Sequence, residues 1–203
     1  MARFVITGTG TGIGKTVFAA GLCGMIGADY WKPLQSGLAD GLDADCVAAL
    51  SGAHIWPEAY RLREPLSPHR AAELDGVAID PAALTPPEAP SLVIEGAGGA
   101  LVPVTRQILF ADLFAGWQIP VVLVAATGLG TISHTLTALE SLRTRAVPVH
   151  GVAFVGDDNP DNIATIGQMG AVRVLGRLPH LGPLNRPALT AAMARHFNPQ
   201  DFG

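Results

Sequence analysis

The residues best suited to chemistry stand near the start of the chain, in Gly8-Thr9-Gly10-Thr11-Gly12-Ile13-Gly14-Lys15-Thr16. An apolar run precedes them and a helix-forming run follows, the setting of a phosphate-binding loop. Glycines let backbone N–H groups converge on phosphate oxygens, and the helix N-terminus adds the positive end of its dipole. Lys15 supplies charge, and the Thr16 hydroxyl can ligate Mg²⁺. The spacing is one residue longer than G-x-x-x-x-G-K-[ST], because Thr9 stands where that pattern has its first glycine. Gly8-x-Gly10-x-x-Ile13 lacks the third glycine of a dinucleotide fingerprint, which argues against a nicotinamide enzyme. Mg²⁺ on a phosphate draws one or two further oxygens from carboxylates. Glu95 ends the apolar run Ser91-Leu92-Val93-Ile94 and opens into Gly96-Ala97-Gly98-Gly99, which would bring it out beside the phosphates. Asp43 and Asp45 precede a short helix starting at Cys46, where an N-cap aspartate is the ordinary role and metal ligation the alternative. Lys32, followed by Pro33 and then Ser36-Gly37, ends another apolar run and would place an ammonium and a hydroxyl at the same edge.

Positioning these groups requires a sheet. Runs at Arg3–Thr7, Tyr30–Gln35, Ser91–Glu95, Pro120–Ala125, Val149–Val155 and Val172–Leu175 are short, apolar and punctuated by Gly or Pro. Nearly continuous apolar blocks such as Val121-Val122-Leu123-Val124 fit parallel strands covered on both faces. Helices are expected over Gly14–Met25, Asp45–Leu50, Thr131–Arg143, Asp161–Met169 and Pro187–His196. Alternating strands and helices predict a single α/β domain with a mainly parallel central sheet. His54–Pro90 carries seven of the 16 prolines and weak periodicity except around Arg70–Leu74, so it reads as a partly helical excursion over the sheet. No internal repeat or convincing domain boundary interrupts the 203 residues.

Composition narrows the function classes. Hydrophobic residues make up 49% and charged residues 15%, which excludes intrinsic disorder. A net charge of -4, with no long block of like charges, disfavours nucleic acid and membrane surfaces and suits a small-molecule partner. Cys23 and Cys46 cannot form a disulfide framework or a four-thiolate zinc site, and no targeting or transmembrane segment is evident, so a cytoplasmic location is expected. His54, His150 and His196 lack metal-ligand spacing and read as surface or packing residues, and Trp31 and Trp56 as core.

Taken together the motifs resemble those of the dethiobiotin synthetases. The matching pieces are Gly8 to Lys15-Thr16, Lys32-Pro33-x-x-Ser36-Gly37, Asp45 before its helix, Pro65-x-Ser67-Pro68-His69 and Glu95-Gly96-Ala97-Gly98-Gly99. Phe110-Ala111-Asp112, Pro120-Val121-x-Leu123-Val124 and Leu129-Gly130-x-Ile132-x-His134 continue them in the family's order. The resemblance implies a P-loop fold, a homodimer, ATP as co-substrate with Mg²⁺, and conversion of 7,8-diaminononanoate and CO₂ to dethiobiotin. It gives Lys15 and Lys32 the catalytic charges, and Thr16, Asp45 and Glu95 the metal. Nucleotide contacts would come from Gly12, Ile13, Gly14, Val17, Gly96, Ala97, Gly98, Gly156, Asp157, Leu178, Pro179 and His180. Thr11 and Ser36 would position the diamine or its carbamate, and Gly130, Thr131, Ile132 and Ser133 would offer N–H groups to the substrate's distal carboxylate across the dimer interface.

Two departures bear on the nucleotide. Gly12 stands where other members carry Glu, and Gly156 stands where adenine-reading members carry Asn, whose amide can both donate to and accept from the base edge. A weaker preference for ATP over other triphosphates is therefore expected. The competing reading is a switch ATPase of the partitioning or metal-delivery type, but the lysine such proteins carry five residues before the loop lysine is here Gly10. A corrin amidase would need a fused glutaminase domain, for which 203 residues leave no room, and a degenerate nucleotide-binding homologue would not be expected to keep both lysines, both carboxylates and Ser36.

Overall fold

Apolar β-branched runs alternate with helical ones, and the computed structural model, which describes residues 2–39 and 41–203, arranges them as helices covering both faces of one sheet. In chain order the elements are β1 (Arg3–Gly8), α1 (Lys15–Ile26), β2 (Asp29–Trp31), β3 (Leu34–Ser36), α2 (Asp43–Ser51), β4 (Ile55–Trp56), β5 (Tyr60–Leu62) and α3 (Pro68–Asp75). There follow β6 (Leu92–Gly99), α4 (Phe110–Trp117), β7 (Val121–Ala126), α5 (Thr131–Thr144), β8 (Val149–Val155), α6 (Pro160–Met169), β9 (Val174–Leu178) and α7 (Arg186–His196). Seven strands form a sheet in the order β4-β2-β6-β1-β7-β8-β9, with every neighbouring pair parallel. Parallel pairing sends all their carboxyl ends to one edge, where β1, β6 and β7 lie side by side at the centre.

Period-two alternation assigns the faces. Phe4, Ile6, Tyr30, Val93 and Val122 point to one side and pack with Phe18 and Leu22 of α1, Val47 of α2 and Leu189 and Met193 of α7. Val5, Trp31, Ile94 and Val121 point to the other side, against Phe110 and Phe114 of α4 and Leu142 of α5. Leu123 and Phe154 extend that second face toward Leu139 of α5 and Ile166 of α6. Among the described residues no helix is long and apolar enough to cross a membrane.

The fold departs from the sequence reading in several places, and β6 runs Leu92–Gly99, past Glu95, where Ser91–Glu95 was expected. Tyr30–Gln35 is two strands: Pro33 has no N–H to donate, so β2 ends at Trp31, and β3 leaves to pair in parallel with β5 as a separate two-stranded sheet. The excursion over residues 54–90 holds β4, β5 and α3, whose Ala71 and Ala72 pack on Leu62. Helix α4 went unanticipated because its eight residues, FADLFAGW, are apolar almost all round and too few to show a period. The last strand runs Val174–Leu178 where Val172–Leu175 was expected.

Candidate active site at the carboxyl edge of the sheet

The loop between β1 and α1 is fixed from both sides. Its Thr9 N–H donates to Val124 O of β7 at 3.0 Å, and Gly8 pairs with Gly99 at the end of β6. Gly14 caps α1 in the left-handed region at φ 91°, and a Cβ there would fall 2.7 Å from a Val155 methyl carbon, so only glycine both turns the chain into the helix and lets the helix meet β8. Lys15 is thereby buried at the first position of α1, and its Nζ donates to Gly10 O at 2.6 Å within the loop. Burial lowers its pKa, more than the nearby Glu95 carboxylate raises it.

The strand register gathers the other charges. Tyr30 lies opposite Val93 and Trp31 opposite Ile94, so continuing the β2–β6 pairing brings Lys32 beside Glu95, with Tyr30 two residues back on the same face. Glu95 is 1% exposed and engaged at both oxygens. Its Oε1 accepts from Thr16 Oγ1 at 2.9 Å and lies 3.4 Å from Lys32 Nζ, while its Oε2 accepts from the Tyr30 hydroxyl at 2.9 Å. Lys32, also buried, forms a second ion pair with Asp43 at the first position of α2. Burial alone would lower the Lys32 pKa, but Glu95 and Asp43 outweigh it and hold the ammonium above its ordinary value. Burial, reinforced by Glu95, pushes the Tyr30 phenol well up, so it remains a donor.

Two cavities open on either side of the loop. One, about 510 Å³, is lined by Thr11, Lys15, Thr16, Lys32, Ser36, Asp43, Glu95, Ala97 and Gly98, with Pro65, Leu66, Ser67 and Pro68 closing it from the excursion. The Ser36 hydroxyl is buried there without a hydrogen-bond partner. The other, about 530 Å³, runs from Gly12, Ile13, Gly14 and Val17 to Ala126, Thr127 and Gly128, past Gly156 and Asp157, to Leu178, Pro179 and His180. Gly156 sits at φ 137°, its carbonyl accepts from Arg177 at 2.9 Å, and a Cβ on it would lie 2.5 Å from Thr127 Oγ1.

Most of the residues singled out in the sequence therefore come together, and three groups lie outside the two cavities. Asp45, expected with Thr16 and Glu95 at the metal, is exposed and does not line the cavity, whereas Asp43 does. The helix begins at Asp43 rather than Cys46, so it is the first-position carboxylate that turns to Lys32. Gly96 lines neither cavity and instead packs toward Phe114, 3.1 Å from the place of a Cβ. Gly130, Thr131, Ile132 and Ser133 also lie outside both cavities, at the start of α5. The Thr131 N–H is already bonded to Gly128 O at 3.2 Å, and its side chain anchors on Ala126 O. The sequence reading gave no role to Tyr30, Ser67 or Thr127. For Tyr30 the available signal was its i, i+2 spacing to Lys32, which puts both side chains on one strand face.

The donor set suits a hard cation. Among the described residues, those lining the cavity offer oxygen ligands from Thr16, Glu95 and Asp43. Thr16 gives its proton to Glu95, which leaves the hydroxyl lone pairs available to a metal.

Comparison with known proteins agrees with this reading. Residues 2–188 match the AAA domain family. The chain is 60% identical over 205 residues to the ATP-dependent dethiobiotin synthetase BioD of Novosphingobium aromaticivorans, with all of both chains covered. It is 59% identical over 204 residues to the enzyme of the same name from Agrobacterium fabrum, covering 98% of this chain and 96% of that one. Among solved structures, the cell-division ATPase MinD of Pyrococcus furiosus is similar with a TM-score of 0.58 and 12% identity, covering 95% of this chain and 89% of that one. A ParA family ATPase from Chlorobium tepidum is similar with a TM-score of 0.52 and 12% identity, covering 96% and 91%. Those two likenesses carry the fold alone, whereas full-length identity above one half, together with the loop, the two lysines and Glu95, places the chain in the family of ATP-dependent dethiobiotin synthetases.

Proposed function

We propose that the protein carries out the reaction its relatives are named for, the ATP-dependent conversion of 7,8-diaminononanoate and CO₂ to dethiobiotin. The observation that carries this reading is the convergence of two buried lysines, Lys15 and Lys32, with Thr16, Glu95 and the partnerless Ser36 hydroxyl on one cavity beside a phosphate loop. One amine of the substrate adds to CO₂ and loses a proton, giving a carbamate. The carbamate oxygen takes the γ-phosphoryl of ATP and releases ADP, and the second amine then attacks the carbonyl carbon, expelling phosphate as the ring closes. Every step develops anionic oxygen, which the two ammonium groups lining the cavity would stabilise.

Lys15 would leave Gly10 O for the β- and γ-phosphates, and Lys32, held by Glu95 and Asp43, would stabilise the carbamate and the transferring phosphoryl. Thr11 and Ser36 line the same cavity and would position the carbamate. Thr16 and Glu95 would hold Mg²⁺ together with a carboxylate from the first turn of α2, either Asp43, which lines the cavity, or Asp45, which the family's pattern has there. Bound there, the metal would neutralise charge on the phosphates.

The base would lie in the second cavity, between Gly12–Val17 and Gly156–His180. With glycine at 156 no amide reads its edge, so discrimination among nucleoside triphosphates is weak. A homodimer would bury exposed apolar side chains such as Leu129 and Leu101. In that arrangement Gly130, Thr131, Ile132 and Ser133, outside the two cavities flanking the loop, would serve the neighbouring site. Its substrates are small molecules and its place is the cytoplasm. A switch ATPase is disfavoured, since only the fold is shared with such proteins.

The deciding experiment supplies diaminononanoate, bicarbonate, Mg²⁺ and ATP. Dethiobiotin and phosphate should appear in equal amounts, whereas nucleotide hydrolysis indifferent to the diamine would overturn the proposal.

A further inference from the structure

Tyr30 is wholly buried, yet it carries a polar atom that packing does not require. A phenylalanine would fill the same place against α1, as Phe4 and Phe18 do within the same cluster. Instead the hydroxyl is directed along the β2–β6 pairing to Glu95 Oε2, 2.9 Å away. Glu95 has two oxygens with different tasks. Oε1 faces Thr16 at 2.9 Å and Lys32 at 3.4 Å, and through them the cavity, while Oε2 has the Tyr30 hydroxyl as its hydrogen-bond donor. A carboxylate can rotate about its terminal torsion with little intrinsic preference, so one engaged only at Oε1 is poorly fixed in angle.

We infer that Tyr30 is a positioning residue: its hydroxyl pins Glu95 Oε2 and so orients Oε1 toward Thr16 and the Mg²⁺ site. The inference rests on the metal-binding role proposed above for Thr16 and Glu95. Acting through the carboxylate, Tyr30 touches neither nucleotide nor substrate. Partners of this kind behind a metal-binding carboxylate carry about 10–100-fold in metal affinity. The low end is expected here, because Thr16 and Lys32 still hold the other oxygen.

The test is a double-mutant cycle on Tyr30→Phe and Glu95→Gln, read by Mn²⁺ binding in the presence of a non-hydrolysable ATP analogue and followed by electron paramagnetic resonance. Tyr30→Phe should weaken Mn²⁺ binding about tenfold and leave analogue affinity in EDTA unchanged. In the Glu95→Gln background the same change should have no further effect. Unchanged Mn²⁺ affinity in Tyr30→Phe, or an equal loss in both backgrounds, would overturn the positioning role. If Glu95→Gln itself leaves Mn²⁺ affinity intact, the metal assignment fails first and takes this inference with it.

A second measurement needs no variant and is unaffected if Tyr30→Phe fails to fold. The chain has only two tyrosines, so ¹³C labelling at the phenol carbon gives two signals, with half-buried Tyr60 as the internal control. Adding Mg²⁺ to the analogue complex should move the Tyr30 signal and leave that of Tyr60 in place. A Tyr30 signal indifferent to the metal would refute the link.

Discussion

The two cavities flanking the phosphate loop share Gly12, Gly14 and Val17 and are otherwise built from opposite materials. Toward β6, the site is a knot of buried charge in which Lys15, Lys32 and Glu95 are almost wholly removed from water and each is engaged by another group. Toward β8 and β9, the wall is mostly backbone and apolar side chains, with Thr127 and Asn159 among them and Asp157, Asp158 and His180 open to solvent. Buried charges are costly unless their partners are fixed, so the first cavity can hold very few alternative arrangements. A wall of Val155, Leu178, Pro179 and glycine makes few demands on what lies against it. The difference separates chemistry from recognition: one half of the site must be rigid in charge, and the other need only be flat and accessible.

The comparison is broken most severely by removing a lysine. Lys32→Ala and Lys15→Ala should each lower kcat by about 10²–10³-fold, the range for losing one preorganised donor to transition-state charge. Steady-state rates of dethiobiotin formation check this, and retained activity in Lys32→Ala would remove that residue from the mechanism. Glu95→Gln, which keeps the shape and loses the charge, should raise the Mg²⁺ concentration needed for half-maximal rate by about tenfold or more.

A change on the β8 side should act on stability instead. Gly156→Ala must place a Cβ 2.5 Å from Thr127 Oγ1 at φ 137°, and should destabilise the fold by roughly 1–3 kcal/mol, measured by urea unfolding. The α2 carboxylates sharpen the boundary. Asp43→Asn breaks the ion pair with Lys32 and should cost about 1 kcal/mol, a modest figure because the Asp43 side chain is 34% exposed. Asp45→Asn, at an exposed position, should leave the melting temperature unchanged. An Mg²⁺ requirement raised by Asp45→Asn would show that the first turn of α2 rotates when nucleotide binds. The smallest effect expected is among nucleotides themselves: with no side-chain amide at position 156, rates with ATP, GTP and CTP should differ by less than about tenfold, a ratio of roughly 1.4 kcal/mol. Strong adenine discrimination in competition assays would show that Thr127, Asn159 or backbone groups read the base.

The phosphate loop, the strand that carries Glu95 and the Lys32 block were legible because each is local, a few residues of fixed type in fixed order, although that strand runs on to Gly99 instead of ending at Glu95. Element order was legible for the same reason, through apolar periodicity. What the sequence missed was non-local or nearly so. Asp43 rather than Asp45 faces Lys32 because α2 starts at the earlier aspartate, a boundary that depends on how the helix docks on α1. Pro33 breaks the run expected over Tyr30–Gln35, and the partner that β3 then finds, β5, lies more than twenty residues along the chain. Tyr30 had no role in the sequence reading until the register set it one strand away from Glu95.

By itself, then, the sequence determined the class of fold and the kinds of groups available for chemistry, since glycine spacing, a Gly-Lys-Thr terminus and alternating apolar runs restrict the backbone locally. Only the tertiary structure decided which oxygen of Glu95 faces Thr16, which aspartate neutralises Lys32, and that Arg177 holds the Gly156 carbonyl. Those choices depend on distances of about one hydrogen bond between residues up to 79 positions apart, as for Thr16 and Glu95. Such distances are fixed by strand register and helix docking, and by no single segment of the chain.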